Sequence, residues 1–231
     1  MLKEKPIEKH ITGILVKRFK DHFGKGPTSV DINLDPPYFT MHLRDLLTPT
    51  EEVLLNNEKI TLLLELRNCL LESIIPKLNN DLWRYAGIEL EEVCYDWNLG
   101  NQSGMIWGKI KGEEIHSVFT WPPHLSYKVF ENKLHEVIRF TQKTPAYITT
   151  CWSGNQIIIA RLQGVLSETG KEFLIKGHEN KLKDATQKMA GNSIHYKTLE
   201  FHLNRSIEET FVKWDIQNDQ GDLVFLLNQA K

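Results

Sequence analysis

The residue types that could do chemistry are present in this chain, but their spacing assembles no known catalytic or metal-binding motif. None of the nine histidines forms an HxH or HExxH pattern. His195 and His202 are seven positions apart, so even on one helix face they would need ligands from elsewhere to hold a metal ion. No GxSxG motif is present, and the three cysteines form no CxxC pair. The pattern therefore predicts no metal site, no cofactor and no catalytic residue.

Gly24–Lys25–Gly26 has the composition of a phosphate-binding loop. It follows a predicted helix and precedes a predicted strand, which is the reverse of the strand–loop–helix order of a P-loop or a Rossmann turn. No helix N-terminus would then face a bound anion. We therefore interpret Gly24 as the end of the helix and Gly26–Pro27 as a turn.

The first 25 residues form a basic segment, with seven basic side chains against three acidic ones. Much of this charge belongs to the solvated face of an amphipathic helix. Lys17, Arg18, Lys20 and Lys25 form the candidate interaction surface, for an acidic partner or for anionic lipid head groups. The whole chain carries a net charge of −2, so no global field favours nucleic acid, and we expect no nucleic-acid partner.

Periodicity and capping signals predict the elements that would position these side chains. Pro6 suits the first turn of a helix that ends at Gly24. Thr48, Pro49 and Glu51 have the pattern of a capping box at the start of a second helical region. That region runs to about Tyr85, with a break at Asn56–Asn57, a kink at Pro76 and an end at Gly87. The predicted strands of this half of the chain are Thr28–Leu34, Tyr38–Leu43, 89–97 and 104–110.

The order of these elements returns in the second half of the chain. Three pairs of segments match at offsets of 117 to 119 positions: Gly24–Thr28 with Gln142–Ala146, Leu47–Glu51 with Leu166–Gly170, and Trp97–Gly104 with Trp214–Gly221. Near-constant spacing of turn and cap signals indicates a tandem duplication. The second copy is predicted to contain helices 127–141, 167–190 and 193–203, and strands 146–152, 156–163, 207–215 and 222–227.

These patterns predict an α+β fold built from two tandem α-β-β-α-β-β modules. Each module would hold an antiparallel sheet with helices packed on one face. The predicted boundaries are residues 1–112 for the first module, 113–125 for a linker, and 126–231 for the diverged second copy. We expect a pseudo-twofold arrangement of the modules, in which the chain is either a monomer with an internal pseudo-dimer or a homodimer.

Four features of the first module together match a known family. They are the helix end Phe23–Pro27, the helix start Leu47–Glu51, the internal Pro76, and the closing strand–turn–strand around Asp96 and Gly104. On these features, residues 8–110 resemble the MpsC-like family of bacterial proteins, named for a sodium-translocating, membrane-potential-generating system. The second copy keeps Pro145 and the hairpin outline, but not the two glycines or the Thr-Pro cap.

The resemblance implies a non-catalytic accessory protein of a bacterial ion or bicarbonate transport system, with a membrane transporter component or another protein as its partner. Two alternatives stay open from the residues. One is a small-molecule sensor with a pocket between the modules, lined by Trp97, Trp107, Trp152 and Trp214, although strand tryptophans more often pack in cores. The other is an enzyme of unrecognised type.

The chain carries no predicted export or membrane-spanning segment. Its first ten residues are basic without a following apolar run. The densest apolar stretch, Ile60–Leu66, is far shorter than the roughly 20 residues that span a bilayer. Three widely separated cysteines fit a reducing compartment. We therefore expect a cytoplasmic protein.

Overall fold

The computed structural model describes residues 6–113, 121–139, 143–176 and 196–229. They belong to two compact units, unit 1 (Met1–Glu113) and unit 2 (Glu114–Lys231). The described part of unit 1 contains α1 (Pro6–Phe23), β1 (Ser29–Asn33), β2 (Tyr38–Arg44), α2 (Pro49–Asn56), α3 (Ile60–Ala86), β3 (Leu90–Asn98) and β4 (Ser103–Ile110).

The helices of unit 1 begin and end where the local sequence predicts. Gly24 adopts a φ of +76° directly after α1, a conformation that glycine reaches without steric cost. The Thr48 hydroxyl accepts a hydrogen bond from the Glu51 N–H, and the Glu51 carboxylate accepts one from the Thr48 N–H, which confirms the predicted capping box. The chain breaks between α2 and α3 at the predicted Asn56–Asn57 step, and α3 continues through Pro76.

The four strands of unit 1 form one antiparallel sheet in the order β1-β2-β4-β3. Helices α1 and α3 cover one face of this sheet with apolar side chains at helical spacing. Strand β2 contributes alternate residues to the same core. The fully buried members of this cluster are Ile11, Leu15, Phe19, Phe39, Met41, Leu43, Leu46, Leu71, Ile74, Leu78, Leu82 and Ile106.

Unit 2 repeats this order of elements. Its described part contains α4 (Tyr127–Arg139), β5 (Tyr147–Ser153), β6 (Ile157–Gln163), α5 (Glu168–Ile175), α6 (Lys197–Leu203), β7 (Ile207–Asp215) and β8 (Gln220–Leu227). The sheet order β5-β6-β8-β7 corresponds strand by strand to that of unit 1. The predicted α+β fold with two similar modules is therefore confirmed. The parts of the predicted helices that fall in 140–142 and 177–195 lie outside the described residues.

Both units share one tight cross-strand contact in the closing hairpin. Trp97 pairs with Gly104 in unit 1, and Trp214 pairs with Gly221 in unit 2. A Cβ placed on either glycine would lie 2.2 Å from the Cε3 atom of its tryptophan, so only glycine fits. The descent of the two units from one duplicated module, and their pseudo-twofold arrangement, stay predictions.

Trp121 lies within the predicted linker 113–125, yet its indole packs in the core of unit 2. Its ring centroid is 5.1 Å from that of Phe130 and 5.9 Å from that of Trp152. The core of unit 2 therefore begins before the first residue of the predicted second copy. Residues 114–120 of the predicted linker lie outside the described residues.

Candidate functional site

The four basic residues predicted as an interaction surface do not share one environment. Lys17 and Lys20 are exposed on α1. Arg18 instead turns toward α3, where its Nη2 donates to Oδ1 of Asp81 at 2.8 Å and its Nε bonds the second carboxylate oxygen. The Asp81 side chain is 7% exposed. Arg18 therefore holds α1 against α3, and the hydrogen bonds it donates to Asp81 raise the pKa of its guanidinium.

Lys25 also has an internal role. Its Nζ donates to the carbonyl oxygen of Leu47 at 3.0 Å, just before α2 begins. In unit 2, Lys143 makes the equivalent bond to the carbonyl oxygen of Leu166 at 3.1 Å. Because both units use a lysine in this way, the hydrogen bond of Lys25 belongs to the fold that the two units share. Of the four residues of the predicted interaction surface, Lys17 and Lys20 are the two that do not make such a contact.

A buried ion pair in unit 1 joins α2 to α3. Arg67 is fully buried and Glu51 is 1% exposed, and the Nε of Arg67 donates to Oε1 of Glu51 at 2.7 Å. Arg67 Nη2 donates to the carbonyl oxygen of Leu46 at 2.5 Å. The guanidinium carbon lies 4.4 Å from the centroid of the Trp97 ring, within the range of a cation–π contact. A charge this deeply buried is stable only with such partners.

Unit 2 does not reproduce this ion pair within its described residues. Ser167 caps α5 there, with its hydroxyl accepting from the Gly170 N–H at 3.1 Å. Gly170 occupies the position of Glu51 and supplies no carboxylate. The capping-box pattern identified Glu51 in the sequence, but no pattern considered there identified Arg67. Arg67 could have been recognised by its position on the buried face of α3, four residues after Leu63 and four before Leu71.

The outer side of α2 and α3 exposes apolar residues that core packing does not use. We call this region the α2–α3 surface. Its exposed apolar side chains are Val53, Ile60, Leu62 and Leu66, between 38% and 60% exposed. Exposed polar and charged neighbours complete it: Glu52, Glu58, Lys59, Glu65, Cys69 and Glu72.

The charge of the α2–α3 surface is strongly one-sided. Between positions 52 and 72 the chain has four exposed glutamates and one exposed lysine. The only other basic residue in this stretch is the buried Arg67, which is paired with Glu51. The surface therefore combines exposed leucines with a negative field, and the sequence alone did not identify it.

Most of the other cysteine, tryptophan and histidine residues considered in the sequence are buried or hydrogen-bonded within the fold. Cys94 and Cys151 are buried, and burial raises the pKa of the Cys151 thiol to about 12, whereas Cys69 is exposed. Trp152 and Trp214 belong to the core of unit 2, and Trp97 packs against that of unit 1. His202 bonds the carbonyl oxygen of Ser126 at 3.0 Å, and His195 lies outside the described residues.

Neither a metal site nor a membrane span is found in the part of the chain that the structure describes. Within those ranges, no three histidine, cysteine or acidic side chains converge where a metal ion could bind. No helix there combines the length and the apolar character that crossing a membrane requires.

Comparison with known proteins identifies the family of the first unit. The family model for the Na+-translocating membrane potential-generating system (MpsC) matches residues 3–110. The match spans almost all of unit 1 and ends before unit 2 begins. No curated protein and no solved structure matches the chain. The predicted resemblance is thus confirmed for the first unit, whose residues 3–110 match the MpsC family.

Proposed function

We propose that this protein is a non-catalytic accessory component of a bacterial Na+-translocating system, acting from the cytoplasm by binding another protein of that system. The observation that carries the proposal is the MpsC family match over residues 3–110. The family's description names a system that translocates Na+ and generates a membrane potential. The described residues supply a folded unit with an exposed apolar and acidic face, which suits binding.

The way unit 1 uses its ionisable residues supports binding over catalysis. Arg67 and Glu51 neutralise each other inside the protein, and Arg18 and Asp81 fasten α1 to α3. These ion pairs hold the helices in place, and the α2–α3 surface stays exposed to solvent. A rigid face with exposed leucines is typical of a protein-binding surface.

Unit 1 is the part of the chain to which we assign partner binding. In unit 2, Gly170 replaces Glu51, so the equivalent of the buried pair that fixes α2 on α3 cannot form through that position. We assign to unit 2 a supporting role as the diverged copy.

Deletion of the gene in its source cells tests this function. We expect the Na+-dependent part of the membrane potential, followed with a potential-sensitive dye, to fall in the deletion strain. A plasmid copy of the full chain should restore it, and potential generated without Na+ serves as the control. Uptake of labelled bicarbonate in the same cells shows whether the system moves bicarbonate with Na+. An unchanged Na+-dependent potential would overturn the proposal.

A further inference from the structure

We propose that the α2–α3 surface binds a basic amphipathic helix of a partner protein. The inference rests on the accessory role proposed above and names the chemistry of the partner. It is carried by the spacing of the exposed leucines, by the acidic residues among them, and by the buried contacts beneath.

The exposed leucines have the spacing of a helix-binding stripe. Leu62 and Leu66 are one turn apart on α3 and are 52% and 38% exposed, and Cys69 follows on the next turn. The opposite side of the same helix carries the buried Leu63 and Leu71. Helix α3 therefore has two apolar stripes, one filled by the core and one open. Side chains at this spacing pack against an apolar helix face through i, i+4 and i+7 contacts.

The acidic residues determine the charge of the partner. Glu65 and Glu72 are two turns apart on the exposed side of α3, beside the leucines, and Glu52 and Glu58 lie on α2 and at the break before α3. A helix with a leucine-rich stripe bordered by lysine or arginine would meet both features. Such basic segments are common in the cytoplasmic parts of membrane proteins.

The same charges disfavour two other occupants. Anionic lipid head groups would be repelled by the four exposed glutamates. A second copy paired about Leu62 and Leu66 would bring its glutamates close to those of the first, which is unfavourable. The basic face of α1 from a second copy has the right charge, but within the described part of α1 its one exposed large apolar side chain is Ile7. The leucines would then remain uncovered.

Buried contacts hold the two parts of this surface in place before a partner arrives. Glu51 is fixed by the capping bond to Thr48 on α2 and by the ion pair to Arg67 on α3. The stacking of Arg67 on Trp97 connects the same pair to the sheet. A surface that is already ordered loses less conformational entropy on binding.

Two synthetic peptides test the proposal directly. One carries leucine and lysine at amphipathic helical spacing, and the other replaces every lysine by glutamate. Binding to the full chain is measured by fluorescence anisotropy of the labelled peptides. We expect the lysine peptide to bind about tenfold or more tightly than the glutamate peptide, with an affinity that falls as salt rises.

Two double variants and a matched control locate the binding surface. The double variant Leu62→Gln with Leu66→Gln should weaken the lysine peptide about tenfold or more. The double variant Glu65→Lys with Glu72→Lys should reverse the preference toward the glutamate peptide. The control, Lys17→Gln with Lys20→Gln on α1, should bind as the unchanged chain does. Circular dichroism confirms that each variant is folded, since all six positions are exposed.

The inference would be overturned by equal affinity for both peptides, by lysine-peptide binding that survives both double variants, or by a dimer in light scattering that Leu62→Gln with Leu66→Gln abolishes. Anionic vesicles bound through the same leucines would also contradict it. A failure in these assays while Na+-dependent potential still requires the protein removes the assigned surface and leaves the accessory role. Peptide binding without any effect of gene deletion removes the accessory role and leaves the surface.

Discussion

Arg67 donates from its Nε to Oε1 of Glu51 across 2.7 Å, and both side chains are inaccessible to solvent. Glu51 has a second task, because its Oε2 accepts the N–H of Thr48 at the start of α2. One carboxylate therefore caps the start of α2, neutralises a buried guanidinium and joins α2 to α3. This arrangement is a property of unit 1, since the corresponding position in unit 2 is Gly170.

Removing one member of this pair should destabilise unit 1 strongly. Glu51→Ala leaves the Arg67 charge buried without its partner, and we expect a loss of about 3–5 kcal/mol in the free energy of unfolding. Urea denaturation measures the loss, and hydrogen-exchange mass spectrometry should place it in residues 6–113. The double variant Glu51→Leu with Arg67→Met should recover much of it, because apolar replacements of a buried pair are tolerated. The exposed Glu168–Lys171 pair is the control, and Glu168→Ala should change stability little. An Ala variant as stable as the unchanged chain would contradict the account of this pair.

Replacing the glycine of the tryptophan–glycine contact should destabilise the two units to a similar extent. Gly104→Ala and Gly221→Ala each place a methyl group 2.2 Å from a tryptophan ring carbon, so the hairpin must shift. We expect each to cost about 1–3 kcal/mol, as overpacking does. Thermal unfolding of the two variants beside Gly100→Ala checks this, since at Gly100 the nearest atom lies at an ordinary 3.5 Å. The same stability in Gly104→Ala and Gly100→Ala would refute the contact.

The three thiols should differ sharply in reactivity. Cys69 is exposed, whereas Cys94 and Cys151 are buried, and burial raises the pKa of Cys151 to about 12. Because the thiolate is the reactive form, iodoacetamide should modify Cys69 first and the other two only after unfolding. Mass spectrometry of digested protein measures the order. The lysine peptide should slow modification of Cys69, and rapid labelling of Cys151 in the folded chain would show that this thiol is not buried.

Glu131 should make the stability of unit 2 depend on pH. Burial raises the pKa of this carboxyl above its usual value, although the Thr150 hydroxyl donates to Oε1 at 3.1 Å. The folded state thus holds the proton more tightly than the unfolded chain. Stability should fall as the pH rises from the ordinary glutamate pKa through the raised one. Glu131→Gln should therefore be the more stable protein at neutral pH, and the advantage should vanish below the ordinary pKa.

The same exchange at Glu136, on the exposed side of the same helix, is the matched control. Denaturation curves of both variants and the unchanged chain across the pH range measure the difference. A Glu131→Gln variant that is less stable than the unchanged chain at neutral pH would reverse the assigned sign.

Much of the framework could be read from the sequence because it depends on neighbours along the chain. The cap at Thr48, the stop at Gly24 and the break after Asn56 follow from local backbone chemistry, and all are found in the structure. The matching segments near Lys25 and Lys143 likewise predicted equivalent positions, which turn out to make equivalent bonds to the carbonyl oxygens of Leu47 and Leu166.

The α2–α3 surface could not be predicted from the sequence because it depends on tertiary packing. Leu62 and Leu63 are adjacent and identical in type, but one is 52% exposed and the other is buried. Lys17 and Arg18 are also neighbours, and only the packing of α1 on α3 brings Arg18 to Asp81, 63 positions away. Which stripe of a leucine-rich helix meets the core is decided by the sheet beneath it.

We propose that unit 1 serves a Na+-translocating system through the α2–α3 surface. The most direct measurement is the Na+-dependent membrane potential of deletion cells that carry either Glu65→Lys with Glu72→Lys or the control Lys17→Gln with Lys20→Gln, at matched protein levels. We expect the control to restore the potential and the α3 variant not to restore it. Full restoration by the α3 variant would show that the α2–α3 surface is not needed for this function.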